Sequence, residues 1–334
     1  MRNSTITSAL SISAFAAIAL LSTTPALAAW AHTYISFLGS DNNDCSVPAG
    51  SVAGPCASFA RALAQTLPGG SITLLGPGFL NLGRQITIDK SIHITSEPGT
   101  EAYLSGNDAG NVVTIDAGVG DIVHLRGVTV SGQGTAAVGI LIRQASAVHI
   151  QNCVIRDFEA ANSFGIAYLP DRNSQLFVSD TIIFNNGSSS LTGGILIEPQ
   201  AGSRADVVLD RVHLENNVDG LLIDGAATSG PGSHVIVRDS VMSGNAANGI
   251  HAFTRPGMSS AFVLVERSSM VNNGQSGILA DGPGATVLLS ESSITRNGTG
   301  VSTVNSGQLF SYGNNRNNNN LGAEGSATGF LSAF

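Results

Sequence analysis

Lysine is almost missing from this chain of 334 residues: Lys90 stands alone, the arginines are scattered singly, and charged residues make up 11% of the sequence with a net charge of −8. Without a basic stripe there is nothing to neutralise a phosphate backbone, so nucleic acid is excluded as the expected partner. Aromatic residues are scarce too, at 5%, so few stacking platforms are available for a ligand. No apolar run beyond the N-terminus approaches the length of a membrane-crossing helix, and no membrane span is expected. Cysteine is limited to three residues. Cys153 lies inside an apolar alternation, where the expected role is a small buried residue and not a catalytic thiol.

The N-terminus carries Arg2, an apolar run from about Ala9 to Leu21, and Ala26-Leu27-Ala28. This is the pattern of a secretory signal with cleavage after Ala28, and it predicts a secreted or periplasmic protein. In that oxidising setting Cys45 and Cys56, close together in a Gly/Pro/Ser-rich stretch, are expected to form a disulfide.

The rest of the chain repeats. SAVHIQNCVI, SQLFVSDTII, ADVVLDRVHL, SHVIVRDSVM, AFVLVERSSM and ATVLLSESSI share one frame, with first inward positions at Val148, Leu176, Val207, Val235, Val263 and Val287. Looser copies begin at Ile72, Ile92, Val123 and Leu309, and the period is about 20 to 31 residues. A second column follows: Gly139-Ile140, Gly165-Ile166, Gly194-Ile195, Gly220-Leu221, Gly249-Ile250, Gly277-Ile278 and Gly300-Val301. Short Val/Ile-rich runs of period two bounded by Gly, Asn, Asp and Ser are strands and turns, without helical periodicity. A unit this small cannot bury its own apolar side chains, so successive units must stack on one continuous core. Leucine-rich repeats and propellers fail for want of their consensus residues.

Two further columns support the register. Asn186, Asn217, Asn245, Asn273 and Asn297 stand ten residues after each inward position, as an asparagine ladder would. Four residues after it, Asp180, Arg211, Asp239, Arg267 and Glu291 alternate in sign, which predicts ion pairs between coils. The expected architecture is all-β: a single-stranded right-handed parallel β-helix of about ten coils with an N-terminal capping helix. Its segments are the signal (1–28), an N-terminal segment and capping helix (29–70), the β-helix (71–313) and an Asn/Gly-rich turn and tail (314–334). PCASFARALAQTLPGG reads as the capping helix, with Phe59, Leu63 and Leu67 over the first coil and Pro68-Gly69-Gly70 stopping it, and Phe330 and Phe334 are expected to tuck back at the other end.

These columns, the capping helix with its two cysteines and the signal together resemble the pectin-lyase-like superfamily, over nearly all of residues 30 to 320. Within it, exported bacterial right-handed β-helix repeat proteins share openings like TYISFLGSDNNDCSVPAGSVAGPCASFARAL and endings like SYGNNRNNNN. The resemblance implies the fold strongly and the activity weakly, since this solenoid hosts lyases, hydrolases, epimerases, depolymerases and adhesins. The Asn-Thr-Asp, paired-Asp, Gly-His-Gly and Arg-Ile-Lys strings of polygalacturonase-like hydrolases are absent here. Pectate-lyase-like enzymes need carboxylates for calcium and an arginine or lysine base, a spatial pattern with no short string.

The register directs a search for such a pattern. The fourth residue past each glycine should face outward, giving Arg143, Leu169, Glu198, Asp224, Phe253 and Asp281, and the second-residue column contributes His251. Glu198, Asp224 and Asp281 are the candidate ligands for calcium, the one expected cofactor, with Arg255 and His251 as candidate proton-moving groups. Arg143, Tyr168 and Phe253 are the candidate substrate contacts. Three functions follow: a polar face that binds polysaccharide or surface glycan without catalysis, a calcium-dependent lyase or glycoside hydrolase acting on an acidic glycan, and an adhesin or spike-like surface protein. The missing catalytic strings place binding first.

Overall fold

Three strands per turn, each a few residues long, wind the chain into three parallel sheets. The computed structural model describes residues 29–48, 54–76, 78–79, 84–106 and 110–332; the expected signal and Phe334 lie outside them. Each turn visits a first sheet of twelve strands, a second of ten and a third of nine, and every pairing is parallel between successive turns. The result is a right-handed solenoid, the hand that right-twisted strands favour in parallel crossovers. Ten coils were expected; the body has about seven regular turns. The outermost rounds are closed by two-residue strands, Gly78–Phe79, Arg316–Asn317 and Gly329–Phe330.

The core follows from the alternation. Val123, Val148, Leu176, Val207, Val235, Val263, Val287 and Leu309 stack in register along the first sheet, all buried. Ile140, Ile166, Ile195, Leu221, Ile250, Ile278 and Val301 do the same in the third. The first looser repeat is offset, because Ile72 pairs with Ile94 and not with Ile92.

The asparagine ladder turns the corner between the second and third sheets. The side-chain amide of Asn186 donates to the Oδ1 of Asn217 at 2.9 Å, Asn245 to Asn273 at 2.8 Å, Asn273 to Asn297 at 2.8 Å and Asn297 to Asn320 at 3.0 Å. The left-handed backbone falls one position earlier, at Asn185, Asn216, Gly244, Asn272, Arg296 and Asn319. The glycines opposite are there for close approach: a Cβ on Gly220 would stand 2.6 Å from the Gly249 carbonyl and 3.0 Å from the Asn245 amide. The alternating charges also pair, Arg211 with Asp180 at 2.7 Å and Arg267 with Asp239 at 2.9 Å.

The ends depart from expectation. The helix spans only Phe59–Gln65, with Ser58 as its N-cap, and Phe59, Ala62 and Leu63 join the main core. Leu67 is not helical and is exposed; it belongs to the strand Thr66–Leu75, which runs through the Pro68-Gly69-Gly70 expected to stop the helix. Trp30–Ser36 adds a further strand outside that one. Cys45 and Cys56 are disulfide-bonded and Cys153 is a buried free thiol. At the other end Asn320 extends the ladder, and Phe330 is 76% exposed instead of tucked back, because it lies on the outermost strand of the first sheet among the described residues.

Candidate functional site

On the outer face of the third sheet, the column Leu141, Ala167, Leu196, Leu222, His251 and Leu279 lies in register. Most of it is apolar and covered: Val138, Leu141, Phe164, Ala167, Leu196 and Leu222 form a second hydrophobic cluster outside the core, with Leu222 2% exposed. The face is therefore apolar and largely closed to solvent over these coils. The next column supplies its polar wall, in the order Leu169, Glu198, Asp224, Phe253 and Asp281, since Asp224, Phe253 and Asp281 pair directly and Glu198 follows the Ile197–Ile223 pair.

This order divides the expected cation ligands. Glu198 and Asp224 are neighbours on adjacent coils, about 4.8 Å apart along the axis. Burial and the Asp224 charge beside it push the Glu198 carboxyl above its ordinary range. Asp224 accepts the backbone N–H of Ala226 at 2.7 Å. Phe253 stands between Asp224 and Asp281, and Asp281 instead accepts from the Asn305 side chain at 2.7 Å. No group of three His, Cys, Asp or Glu among the described residues converges on a point. Calcium, which takes six to eight oxygens, does not fit the three carboxylates as one site.

The remaining candidates separate as well. Tyr168 is withdrawn from the substrate contacts: it pairs with Ile142 and Ile197 and is fully buried in the core, and burial raises its hydroxyl pKa. Third after its glycine, it has inward parity, not outward. His251 is on the outer face but only 7% exposed, and neither ring nitrogen has a hydrogen-bond partner. Its Nδ1 is 3.8 Å from Asp219 Oδ2, while the other oxygen of this buried carboxylate accepts from the Asn248 backbone at 3.0 Å and side chain at 2.9 Å. Arg255 lies with its guanidinium 5.5 Å from the centre of the Phe253 ring. Together with Asp281 and Asn305 these two line an open cleft of about 580 Å³. Arg143 lines another of about 270 Å³ with Asp116, Gln144, Leu169, Asp171 and Gln200.

A second feature escaped the sequence reading. On the first sheet His93, His124 and His149 stack ring on ring, with centroids 4.2 and 4.5 Å apart, and Phe177 continues the stack at 4.7 Å. Burial and the flanking imidazoles push His124 down to about 4, and burial also lowers His149. Each histidine is the residue after an aligned inward position, or one equivalent to it (Ile92, Val123 and Val148), so one more column of the repeat would have found them.

The family model of a right handed beta helix region matches residues 92–259, half of the chain. The protein belongs to the right-handed β-helix family. No curated protein sequence matches this β-helix protein. Among solved structures it is similar to pectate lyase Pel9A, with a TM-score of 0.64 and 16% identity over 90% of this chain and 78% of that one. It is also similar to ORF18 of Geobacillus virus E2, with a TM-score of 0.50 and 13% identity over 79% of this chain and 54% of the other. At these identities the likeness shows the β-helix fold and not an activity.

Proposed function

We propose that this β-helix protein is exported and docks a polysaccharide or cell-surface glycan, without cleaving it, in a groove that joins the two clefts along the outer wall of the third sheet. The cleft of Phe253, Arg255, Asp281 and Asn305 carries this reading. A sugar offers an apolar ring face and a rim of hydroxyls; Phe253 supplies an aromatic surface, and Arg255, Asp281 and Asn305 supply donors and acceptors for the rim. Arg143, in the other cleft, stands on the same wall four coils from Phe253, about 19 Å along the axis, so an extended chain would reach both. Glu198 and Asp224 stand between them, which disfavours an acidic sugar and points to a neutral, hydroxyl-rich glycan. The Cys45–Cys56 disulfide supports export, and no helix of the described residues is long and apolar enough to cross a membrane.

Binding ranks ahead of catalysis because the candidate proton-moving groups are not poised. His251 is covered on the outer face, and Arg255 is engaged with Phe253. The lyase reading keeps one support, the Glu198–Asp224 pair with its raised carboxyl. The test incubates the purified protein with neutral and acidic polysaccharides, with and without Ca²⁺, and follows gel retardation, unsaturated-product absorbance and new reducing ends. Retardation by a neutral glycan with no product is expected. Calcium-dependent absorbance would make the protein a lyase, and absence of retardation across the panel would remove the glycan reading.

A further inference from the structure

The imidazole stack lies on the first sheet, apart from the proposed glycan groove on the third. Parallel stacked rings turn their edges, not their faces, away from the sheet, so His93, His124 and His149 present nitrogens in a row spaced by the coil repeat. Beside the row run Thr95, Arg126 and Gln151, and together these residues line a cleft of about 300 Å³ with no acidic residue in its lining. The charged or titratable groups facing the row are few. On its own strands there is Arg126, and at the far end Asp180, paired with Arg211, reaches the Gln151 side chain; on the strand before, Ser71 takes the column position, and beyond it is His32, 3.1 Å from the Ser71 hydroxyl. On the strand after, the position is Phe177, which carries no charge.

Three imidazoles at this spacing repel one another when protonated, so an anion laid across the row favours more than one of them holding a proton. A row of oxyanions would do that, each accepting charge-assisted hydrogen bonds from neighbouring rings and from Arg126. We propose that His93, His124 and His149 form an acid-gated site for an acidic polysaccharide, whose carboxylates or sulfates lie along the stack. When the imidazoles give up their protons the polymer loses these partners and leaves.

The test measures binding of fluorescent dextran sulfate by anisotropy at pH 5.0 and pH 7.5, with uncharged dextran alongside. Binding about tenfold tighter at pH 5.0, for the sulfated polymer only, is expected. The double variant His93→Gln/His149→Gln, which keeps Arg126, should lose that difference while its circular dichroism is unchanged. Imidazole NMR titration of the wild type should show the ladder pKa values rising when dextran sulfate is added, a readout that does not depend on a variant. Binding that ignores pH, or persists in the double variant, or leaves the ladder titration unmoved would overturn the site. Inorganic sulfate at equal sulfate concentration should compete weakly; full competition would overturn the polymer and leave a free-anion site.

Discussion

At the scale of single residues, pH is the most direct lever. His124 titrates at about 4 in the fold against 6.5 ordinarily, because burial and its two neighbours disfavour the cation. A lowered folded pKa means that the unfolded chain binds more protons between those values. The stability it confers is therefore present above pH 6.5 and lost as pH falls towards 4. Melting temperature should drop over that window, and His124→Phe, which extends the Phe177 stack, should flatten the drop; an unchanged pH profile in the variant would contradict this. Glu198 works in the opposite sense: its raised carboxyl binds protons better folded than unfolded, so it disfavours the fold once ionised. Glu198→Gln should raise the melting temperature at pH 7 and have less effect at pH 4. The sequence showed most of these positions but not their environments. Outward parity was legible for Glu198, Asp224 and Asp281, and the column already carried Phe253 between the last two, yet nothing in the string revealed that His251 is covered by its neighbours. Tyr168 was misread: an aromatic ring suits a sugar face, but its third place after Gly165 gives it inward parity.

At the scale of elements, the corner between the second and third sheets carries much of the specificity. Asn245 accepts from the Asn217 backbone at 3.0 Å and donates to Asn273 at 2.8 Å and to the Leu214 carbonyl at 3.1 Å, all buried. Asn245→Ala would remove these three buried hydrogen bonds, so a loss of about 3 kcal/mol is expected by denaturant unfolding, well above that of a surface substitution. The Asp239–Arg267 pair is exposed, and Arg267→Ala should cost about 0.5 kcal/mol or less. Both ladders were legible because stacking repeats one environment many times and the sequence repeats with it. The first rounds were not: Thr66–Leu75 is a strand despite its Pro-Gly-Gly, since pairing with Trp30–Ser36 on one side and Ile92–Ser96 on the other outweighs local turn propensity.

At the scale of the whole molecule, the solenoid is nearly one-dimensional, each coil held by its neighbours, so its ends open before its middle. The Cys45–Cys56 bond, with a sequence separation of 11, ties down the N-terminal round. Its reduction should lower stability by about 3 kcal/mol in the chain-entropy account, with faster hydrogen exchange confined to the first rounds. Exchange that quickened evenly along the solenoid would contradict a nearest-neighbour fold. The long rigid axis also makes the groove a ruler along which an extended glycan would lie. The central claim, that the groove docks such a glycan at Phe253 and Asp281, is tested most directly by binding isotherms for the neutral polysaccharide that retards the protein, on wild type, Phe253→Ala and Asp281→Asn. The account predicts that each substitution weakens binding at least about tenfold, a loss of roughly 1.4 kcal/mol, with little change in melting temperature. Undiminished affinity in both variants would contradict it.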